Sequence, residues 1–137
     1  MERAVCKMIA MTKYLLIAAG GAFGSMLRFA LQGWVQKLVG GGFPFGTVAV
    51  NMLGCFVIGL LAAAFAGPVL IREDYRLGLT AGFLGGFTTF SAFGLETVDL
   101  LHRGHIWLSL ANVLVSVGLG CSAVWGGYRM AQWWFAA

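Results

Sequence analysis

Four long apolar stretches, separated by short polar or glycine-rich connections, account for most of the chain. Within their apolar cores, residues 14–35, 47–71, 77–95 and 106–128, the one charged residue is Arg28 in the first. Each is close to the roughly 20 apolar residues that a helix needs to cross the hydrocarbon core of a bilayer. The pattern therefore predicts an all-α membrane protein with a single domain. Its four transmembrane helices are expected at about residues 13–35, 46–70, 76–98 and 106–130.

The third stretch has a middle that disfavours a continuous helix. Gly85 and Gly86 cost backbone entropy, while Thr88, Thr89 and Ser91 carry hydroxyl groups that compete for backbone hydrogen bonds. Irregular backbone at membrane depth persists only where it is buried in protein or lines a wet cavity, and broken helices of this kind commonly hold ions. The sequence therefore predicts a broken third helix with an ion site or a pore at the break. Close packing of small residues would explain the same composition.

The second and fourth spans each carry a polar face. On the second span Asn51 is the one strongly polar side chain, and it shares a helical face with Thr47. An amide in hydrocarbon is costly unless it is hydrogen-bonded, so Asn51 is expected to face another helix or a cavity. On the fourth span, small and polar residues repeat at helical spacing: Ser109, Asn112, Ser116 and Gly120. Both faces fit either interhelical packing or a polar pathway.

Most charged residues lie near the predicted membrane boundaries. Arg28 is interpreted as an interfacial anchor rather than an ion ligand. Glu96, toward the far end of the third span, could cap polar groups near a pore mouth or be a plain interfacial carboxylate. Residues 72–76 are expected to form a short solvated loop, and Pro68 is expected to mark the end of the second span.

The composition excludes several classes of protein. Hydrophobic residues make up 60% of the chain and charged residues 10%, which is outside the range of soluble domains. The net charge of +4 is interpreted as topology signals and contact with anionic lipid headgroups, so no nucleic-acid partner is expected. The cysteines show no disulfide or zinc pattern, and Cys55 and Cys121 are expected to be packing residues. The predicted spans contain no nucleophile–base pair or metal cluster, so the chain is not expected to be an enzyme.

The basic residues show only a weak bias between the two sides of the membrane. Four spans place both termini on one side, which has six lysines and arginines against three on the other, or four against three if the chain starts at Met11. So weak a bias is compatible with insertion in both orientations. Four thin spans also enclose a polar path poorly, so a homo-oligomer is expected. In a dual-topology dimer the subunits would be related by a two-fold axis in the membrane plane.

Three motifs follow one another along the first three spans. The first two are Gly20-Gly21-x-x-Gly24-x-x-x-Arg28 and Gly46-Thr47-x-x-x-Asn51-x-x-Gly54. The third is Gly82-Phe83-x-Gly85-Gly86-Phe87-Thr88-Thr89-Phe90-Ser91-x-Phe93-x-x-Glu96. The first motif alone is weak, whereas the third is highly specific. With these motifs in this order, the chain resembles the Fluc/CrcB fluoride channels over nearly its whole length after the N-terminal lead.

This resemblance implies an antiparallel, dual-topology homodimer with two pores in the bacterial inner membrane. Such a channel would export cytoplasmic fluoride passively, down its electrochemical gradient, and would confer resistance to fluoride toxicity. The resemblance also implies a structural sodium ion at the dimer interface, held by the backbone carbonyls of Gly85 and Thr88 from both subunits. The expected partners are therefore a second copy of the chain, the fluoride ion and membrane lipid.

The resemblance assigns site residues as well. Phe90 and Phe93 would line the pores, and Asn51 would donate hydrogen bonds along the ion path. The fourth span departs from the family: where members often carry a tyrosine and then a serine on the pore face, this chain has Asn112 and Ser116. The complete expected pathway comprises Asn51, Thr89, Phe90, Ser91, Phe93, Asn112 and Ser116, with Arg28 and Glu96 toward the vestibule.

Two other functions are compatible with four short spans. A proton-coupled small multidrug exporter would need an intramembrane carboxylate. The first two predicted spans contain none, and Glu96 lies near the end of the third. A non-transporting membrane scaffold would use the glycine faces for packing alone and would carry no ion flux.

Overall fold

The computed structural model describes residues 2–67 and 71–136, with side chains described for residues 11–67 and 71–135. Every regular element within these ranges is helical, which confirms the expected all-α fold. In chain order the elements are α1 (Glu2–Val39), α2 (Phe45–Ala66), α3 (residues 73–87), α4 (Phe90–His102) and α5 (Ile106–Ala136). Three of these helices, α1, α2 and α5, are long and apolar enough to cross a membrane.

Helix α1 extends beyond both ends of the first predicted span. The stretch before residue 13 contains no glycine or proline, so nothing in it interrupts a helix, and α1 begins at Glu2. The helix ends at Val39 because Gly40 and Gly41 follow with positive φ angles of 68° and 78°. The connection to α2 is therefore shorter than the sequence pattern indicates.

Helices α2 and α5 form the second and fourth spans. The Gly67 amide closes α2 by donating to the Ala63 and Ala64 carbonyls at 3.1 and 3.3 Å. The predicted end of this span at residue 70, and Pro68 with it, lie outside the described residues. Helix α5 continues past the predicted end of the fourth span, and its last turns carry the exposed Trp133 and Trp134.

The third span is broken, as predicted. Helix α3 consists of an α-helical turn (Glu73–Leu77), a π-helical stretch (Gly78–Leu84) and a short α-helical turn (Gly85–Phe87). Thr88 and Thr89 then adopt extended backbone, with ψ angles of 158° and 120°, before α4 begins. The break thus lies just after the glycine pair that weakens the helix. As a result, α3 and α4 are each shorter than a helix that crosses a bilayer.

Glycines bring the backbones of α1 and α3 into direct contact. A Cβ atom added to Gly24 would lie 3.0 Å from the Phe87 nitrogen, and one added to Gly82 would lie 2.8 Å from the Ile17 carbonyl oxygen. Real Cβ atoms do not approach backbone so closely, so larger residues at these positions would push the helices apart. The glycine surface of α1 formed by Gly20 and Gly24 therefore packs on the broken span and fixes its position.

A second glycine crossing joins α2 to α5. A Cβ atom on Gly59 would lie 3.0 Å from the Tyr128 nitrogen, and one on Gly127 would lie 3.0 Å from the Leu60 nitrogen. These two close approaches lie at the end of the molecule where α2 ends. The four spans are therefore held as two tight pairs, α1 with α3 and α2 with α5, with α4 resting on α5.

The charged segment at residues 72–76 is more ordered than predicted. The expected solvated loop at residues 72–76 instead includes the first turn of α3, and Asp74 within it is only 6% exposed. The Asp74 carboxylate lies 3.0 Å from Arg72 Nη2 and 3.8 Å from Lys13 Nζ. The expectation of a loop was wrong from Glu73 onward, where the chain is helical. Residues 72, 73, 75 and 76 are exposed, as expected, whereas Asp74 is buried because the opposite charges allow its carboxylate to pack against α1.

Candidate functional site

Asn51 bonds both backbone groups of Thr89 at the break. The Thr89 amide donates to Asn51 Oδ1 at 2.8 Å, and Asn51 Nδ2 donates to the Thr89 carbonyl at 2.9 Å. A peptide group in extended conformation at membrane depth has no helical partner, and the Asn51 side chain supplies both a donor and an acceptor. The prediction that Asn51 faces another helix or a cavity is confirmed. The amide retains a second N–H, because an NH₂ group carries two donors.

The break frees several carbonyl groups from their helical partners, among them those of Gly85 and Thr88. In a continuous helix the Thr89 amide would donate to the Gly85 carbonyl, and the Ala92 amide would donate to the Thr88 carbonyl. Here Thr89 donates to Asn51 instead, and Ala92 donates to Thr89 Oγ1 at 3.2 Å. Gly85 is exposed and Thr88 is half-buried in the single chain. The carbonyls of Gly85 and Thr88, the expected sodium ligands, are therefore among those whose usual donors are diverted.

A cleft of about 420 Å³ lies beside the break and collects five of the predicted pathway residues. The Phe90 and Phe93 rings stand at one wall with centroids 5.3 Å apart and planes inclined by 47°. Phe90 is 83% exposed and Phe93 is half-buried, so the cleft is open on the surface of the single chain. The predicted pathway residues that line it are Asn51, Thr89, Phe90, Phe93 and Ser116.

Two predicted pathway residues lie outside the lining of this cleft. Ser91 is exposed, and its Oγ lies 3.1 Å from Thr89 Oγ1, within hydrogen-bonding distance. Asn112 is completely buried behind Ser116, where its amide lies between α4 and α5. The polar face of the fourth span therefore points partly into the cleft and partly into the helix interface.

Thr97 is a polar residue of this region that the sequence pattern did not single out. Its hydroxyl donates to the Phe93 carbonyl at 2.7 Å and accepts from Asn112 Nδ2 at 2.9 Å. Ser109 Oγ also donates to the Thr97 carbonyl, at 2.9 Å. The one available signal was that this threonine stands one turn after a pathway phenylalanine in a predicted membrane span, where an unbonded hydroxyl is costly.

A larger cavity of about 780 Å³ opens near the other end of α4, where α1 ends and α2 begins. Inside it Glu96 Oε1 accepts from Thr47 Oγ1 at 2.5 Å, and Thr47 Oγ1 accepts from Gln32 Nε2 at 2.9 Å. Glu96 Oε2 is buried and has no hydrogen-bond partner among the described residues. Of the two interpretations of Glu96, the structure favours the one in which it bonds polar groups inside the protein.

Charged residues of both signs surround this cavity. Lys37 and Arg103 line it, and Arg103 Nη2 lies 2.8 Å from the Asp99 carboxylate. Arg28 is half-buried and is not among the lining residues, which fits its interpretation as an anchor. His102 and His105 are exposed, and the described residues contain no cluster of three or more His, Cys, Asp or Glu side chains that could hold a metal ion.

Comparison with known proteins gives a consistent result. Residues 15–128 match the family model described as CrcB-like protein, Camphor Resistance (CrcB). A fluoride-specific ion channel FluC of Solibacter usitatus is 48% identical over 88% of this chain and 98% of its own length. Proteins of the same name from Geobacter sulfurreducens and Rhizobium leguminosarum bv. trifolii are 48% and 47% identical, each over 89% of this chain.

These relatives are named as ion channels, which confirms the expectation that the chain is not an enzyme. The match to such relatives and the three membrane-crossing helices also identify a multi-pass membrane protein. Since the family model covers most of the chain and the relatives match it over nearly their whole length, the chain belongs to the CrcB family.

Proposed function

We propose that the chain is a fluoride-selective channel that forms its pores with a second, antiparallel copy in the bacterial inner membrane. It lets fluoride leave the cytoplasm passively, down its electrochemical gradient. The observation that carries this proposal is the cleft beside the break, in which an amide, hydroxyl groups and two phenyl rings converge. The name of the relatives, fluoride-specific ion channel, supports the same function.

Fluoride is small and strongly hydrated, so a pore must replace its water with hydrogen-bond donors. The free N–H of Asn51 and the hydroxyl of Ser116 are the donors that the cleft offers from two different helices. Neither is charged, so the ion meets no fixed cation that would hold it too tightly to leave. Asn51 thus has two roles, since one N–H supports the break and the other is available to the ion.

The phenyl rings of Phe90 and Phe93 supply the remaining contacts. The edge of an aromatic ring is electropositive and can face an anion, whereas its face repels one. The two rings line the cleft side by side, with centroids 5.3 Å apart and planes inclined by 47°. A path along the ring edges would favour a small anion and exclude larger, more weakly hydrated halides.

The second copy is needed because one chain leaves the path uncovered. Phe90 is 83% exposed, and Gly85 beside it is exposed as well. A polar path facing lipid would be unfavourable, whereas a partner covering this surface would enclose it. The weak bias of basic residues between the two sides of the membrane is compatible with an antiparallel partner, and two-fold symmetry would give each dimer two equivalent clefts.

A structural sodium ion fits the carbonyls at the break. A hard cation requires several oxygen ligands, and carbonyls freed from helical bonds supply them without a buried carboxylate. One chain offers the Gly85 and Thr88 carbonyls, and the two-fold axis would double that set. When bound, the ion would supply positive charge that holds the two broken spans together. Because it binds the assembled dimer alone, it would favour assembly.

The larger cavity is the natural entry from water. Lys37 and Arg103 at its lining attract anions, although Asp99 neutralises part of that charge. Glu96 stands at its inner end, where Thr47 holds one carboxylate oxygen. Fluoride would pass from this vestibule toward the phenyl rings, with membrane lipid surrounding the outer helix faces.

The deciding experiment measures fluoride and chloride efflux from liposomes that contain the purified protein. Fluoride efflux without measurable chloride leak is the expected result. Absence of flux under either gradient would favour a non-transporting scaffold, and equal flux of both halides would contradict the proposed selectivity. Liposomes that contain a dimer with both Phe90 and Phe93 replaced by isoleucine serve as the control for leak around folded protein.

A further inference from the structure

Asn112 is the most deeply buried polar side chain in the described part of the protein. It has no exposed surface, and it lies between α4 and α5 rather than in the lining of the cleft. Its Nδ2 donates to Thr97 Oγ1 at 2.9 Å, and its Oδ1 accepts from Ser116 Oγ at 3.4 Å. The same amide therefore connects the helix that carries Phe93 to the serine that faces the cleft.

Thr97 fixes which end of the Asn112 amide faces which neighbour. A hydroxyl group has one hydrogen, and Thr97 donates that hydrogen to the Phe93 carbonyl at 2.7 Å. Toward Asn112 the Thr97 oxygen can therefore only accept, so the NH₂ group of Asn112 must face it. The Asn112 oxygen is then directed at Ser116, where it can only accept.

This orientation decides what Ser116 offers to the cleft. Its single hydrogen is engaged with Asn112, so in the absence of an ion Ser116 presents oxygen lone pairs to the cleft. Lone pairs repel an anion. The bond of 3.4 Å is long for a hydroxyl donor, which makes it weak and easily exchanged for a bond to fluoride.

We propose that Asn112 is a positioning residue that competes with fluoride for the hydroxyl hydrogen of Ser116 and so weakens binding in the cleft. This inference rests on the proposed function. A weakened site suits a channel, because an ion that binds too tightly leaves slowly. The amide thus takes part in setting the affinity of the pore without contacting the ion.

The test compares single-channel fluoride currents of the wild type and Asn112→Leu over a range of fluoride concentrations. Leucine has the same branching at Cγ and no acceptor, so the Ser116 hydrogen is released toward the cleft. We expect the half-saturating fluoride concentration to fall by about two- to fivefold, the effect of one weak hydrogen bond. In the Ser116→Ala background the same substitution should leave the half-saturating concentration unchanged.

Thr97→Val provides a second variant that keeps the shape of the side chain. Without the Thr97 hydroxyl the Asn112 amide is free to turn its NH₂ group toward Ser116, so the half-saturating concentration should again fall. If Asn112→Leu does not assemble as a dimer on size-exclusion chromatography, Thr97→Val alone tests whether Asn112 competes with fluoride for the Ser116 hydrogen. In the Ser116→Ala background Thr97→Val, too, should have no effect.

The outcomes separate this inference from the proposed function. A wild-type protein that carries no fluoride current overturns both. A conducting wild type with an unchanged half-saturating concentration in assembled Asn112→Leu, or in assembled Thr97→Val, overturns this inference alone. An equal shift in the Ser116→Ala background also overturns it, because the effect would then not pass through the serine hydroxyl.

Discussion

The side chain of Asn51 replaces the backbone hydrogen bonds that a continuous helix would give Thr89. It accepts from the Thr89 amide at 2.8 Å and donates to the Thr89 carbonyl at 2.9 Å. The two residues lie on different spans, so the break in the third span is stabilised from the second. Any change in this pair therefore alters both the local backbone and the donor that faces the cleft.

Asn51→Asp tests this double role. Aspartate keeps an acceptor for the Thr89 amide but loses the donor to the Thr89 carbonyl, and when ionised it places negative charge on the anion path. We expect fluoride efflux per dimer to fall by at least tenfold and the free energy of unfolding to fall by about 1–3 kcal/mol, the cost of an unsatisfied buried group. Asn51→Leu, which removes donor and acceptor without charge, separates the two effects. A normal efflux rate in Asn51→Asp would contradict the placement of Asn51 on the path.

The phenyl rings are tested by replacement with a branched aliphatic side chain. Phe90→Ile and Phe93→Ile keep an apolar surface but remove the electropositive ring edges, so fluoride efflux should fall by at least tenfold while the dimer stays assembled. Phe135→Ile is the control, because Phe135 is also exposed but lies near the end of α5 and lines neither the cleft nor the larger cavity. Unchanged efflux in both cleft variants would remove the rings from the mechanism.

The glycine contacts of α1 predict a loss of stability at defined positions. In Gly24→Ala the new Cβ would lie 3.0 Å from the Phe87 nitrogen and would overlap the Phe83 carbonyl oxygen. Overpacking of this kind costs about 1–3 kcal/mol and would displace the broken span. Gly118→Ala on α5 is the control, since its Cβ meets no atom within 4 Å and alanine favours a helix. Thermal unfolding in detergent compares the two, and equal stability would show that α1 and α3 can separate at no cost.

The sequence predicted those features that depend on local chemistry. Apolar length predicted the spans, and the glycine pair with the hydroxyls that follow it predicted the break at Thr88 and Thr89. The features that it missed depend on how helices are rotated against one another. The burial of Asp74 requires Lys13 from another span, and the role of Asn112 requires Thr97 on α4. Spacing along one helix contains no information about such partners, because tertiary packing decides which faces meet.

The pattern of apolar residues also did not predict where the helices end. Hydropathy reports where a chain can enter lipid, whereas a helix ends where its backbone bonds end, as at Gly40 after α1. The π-helical stretch Gly78–Leu84 likewise has no signature in the spacing of apolar residues. It lies where α3 packs against α1 through glycine, so the close backbone contact and the altered helix occur together.

Sodium dependence of dimer stability tests the cation site proposed at the freed carbonyls of Gly85 and Thr88. Because the ligands are backbone oxygens shared by two copies, replacing sodium with N-methylglucamine should lower the unfolding temperature and promote dissociation. Above the dissociation constant, each tenfold increase in sodium should stabilise the dimer by about 1.4 kcal/mol for one bound ion. Asn51→Leu should weaken this dependence, since it releases the Thr89 amide to bond the Gly85 carbonyl again. Dimer stability that is independent of sodium in the wild type would exclude a structural ion at the break, while the fluoride path along the cleft would stand on its own tests.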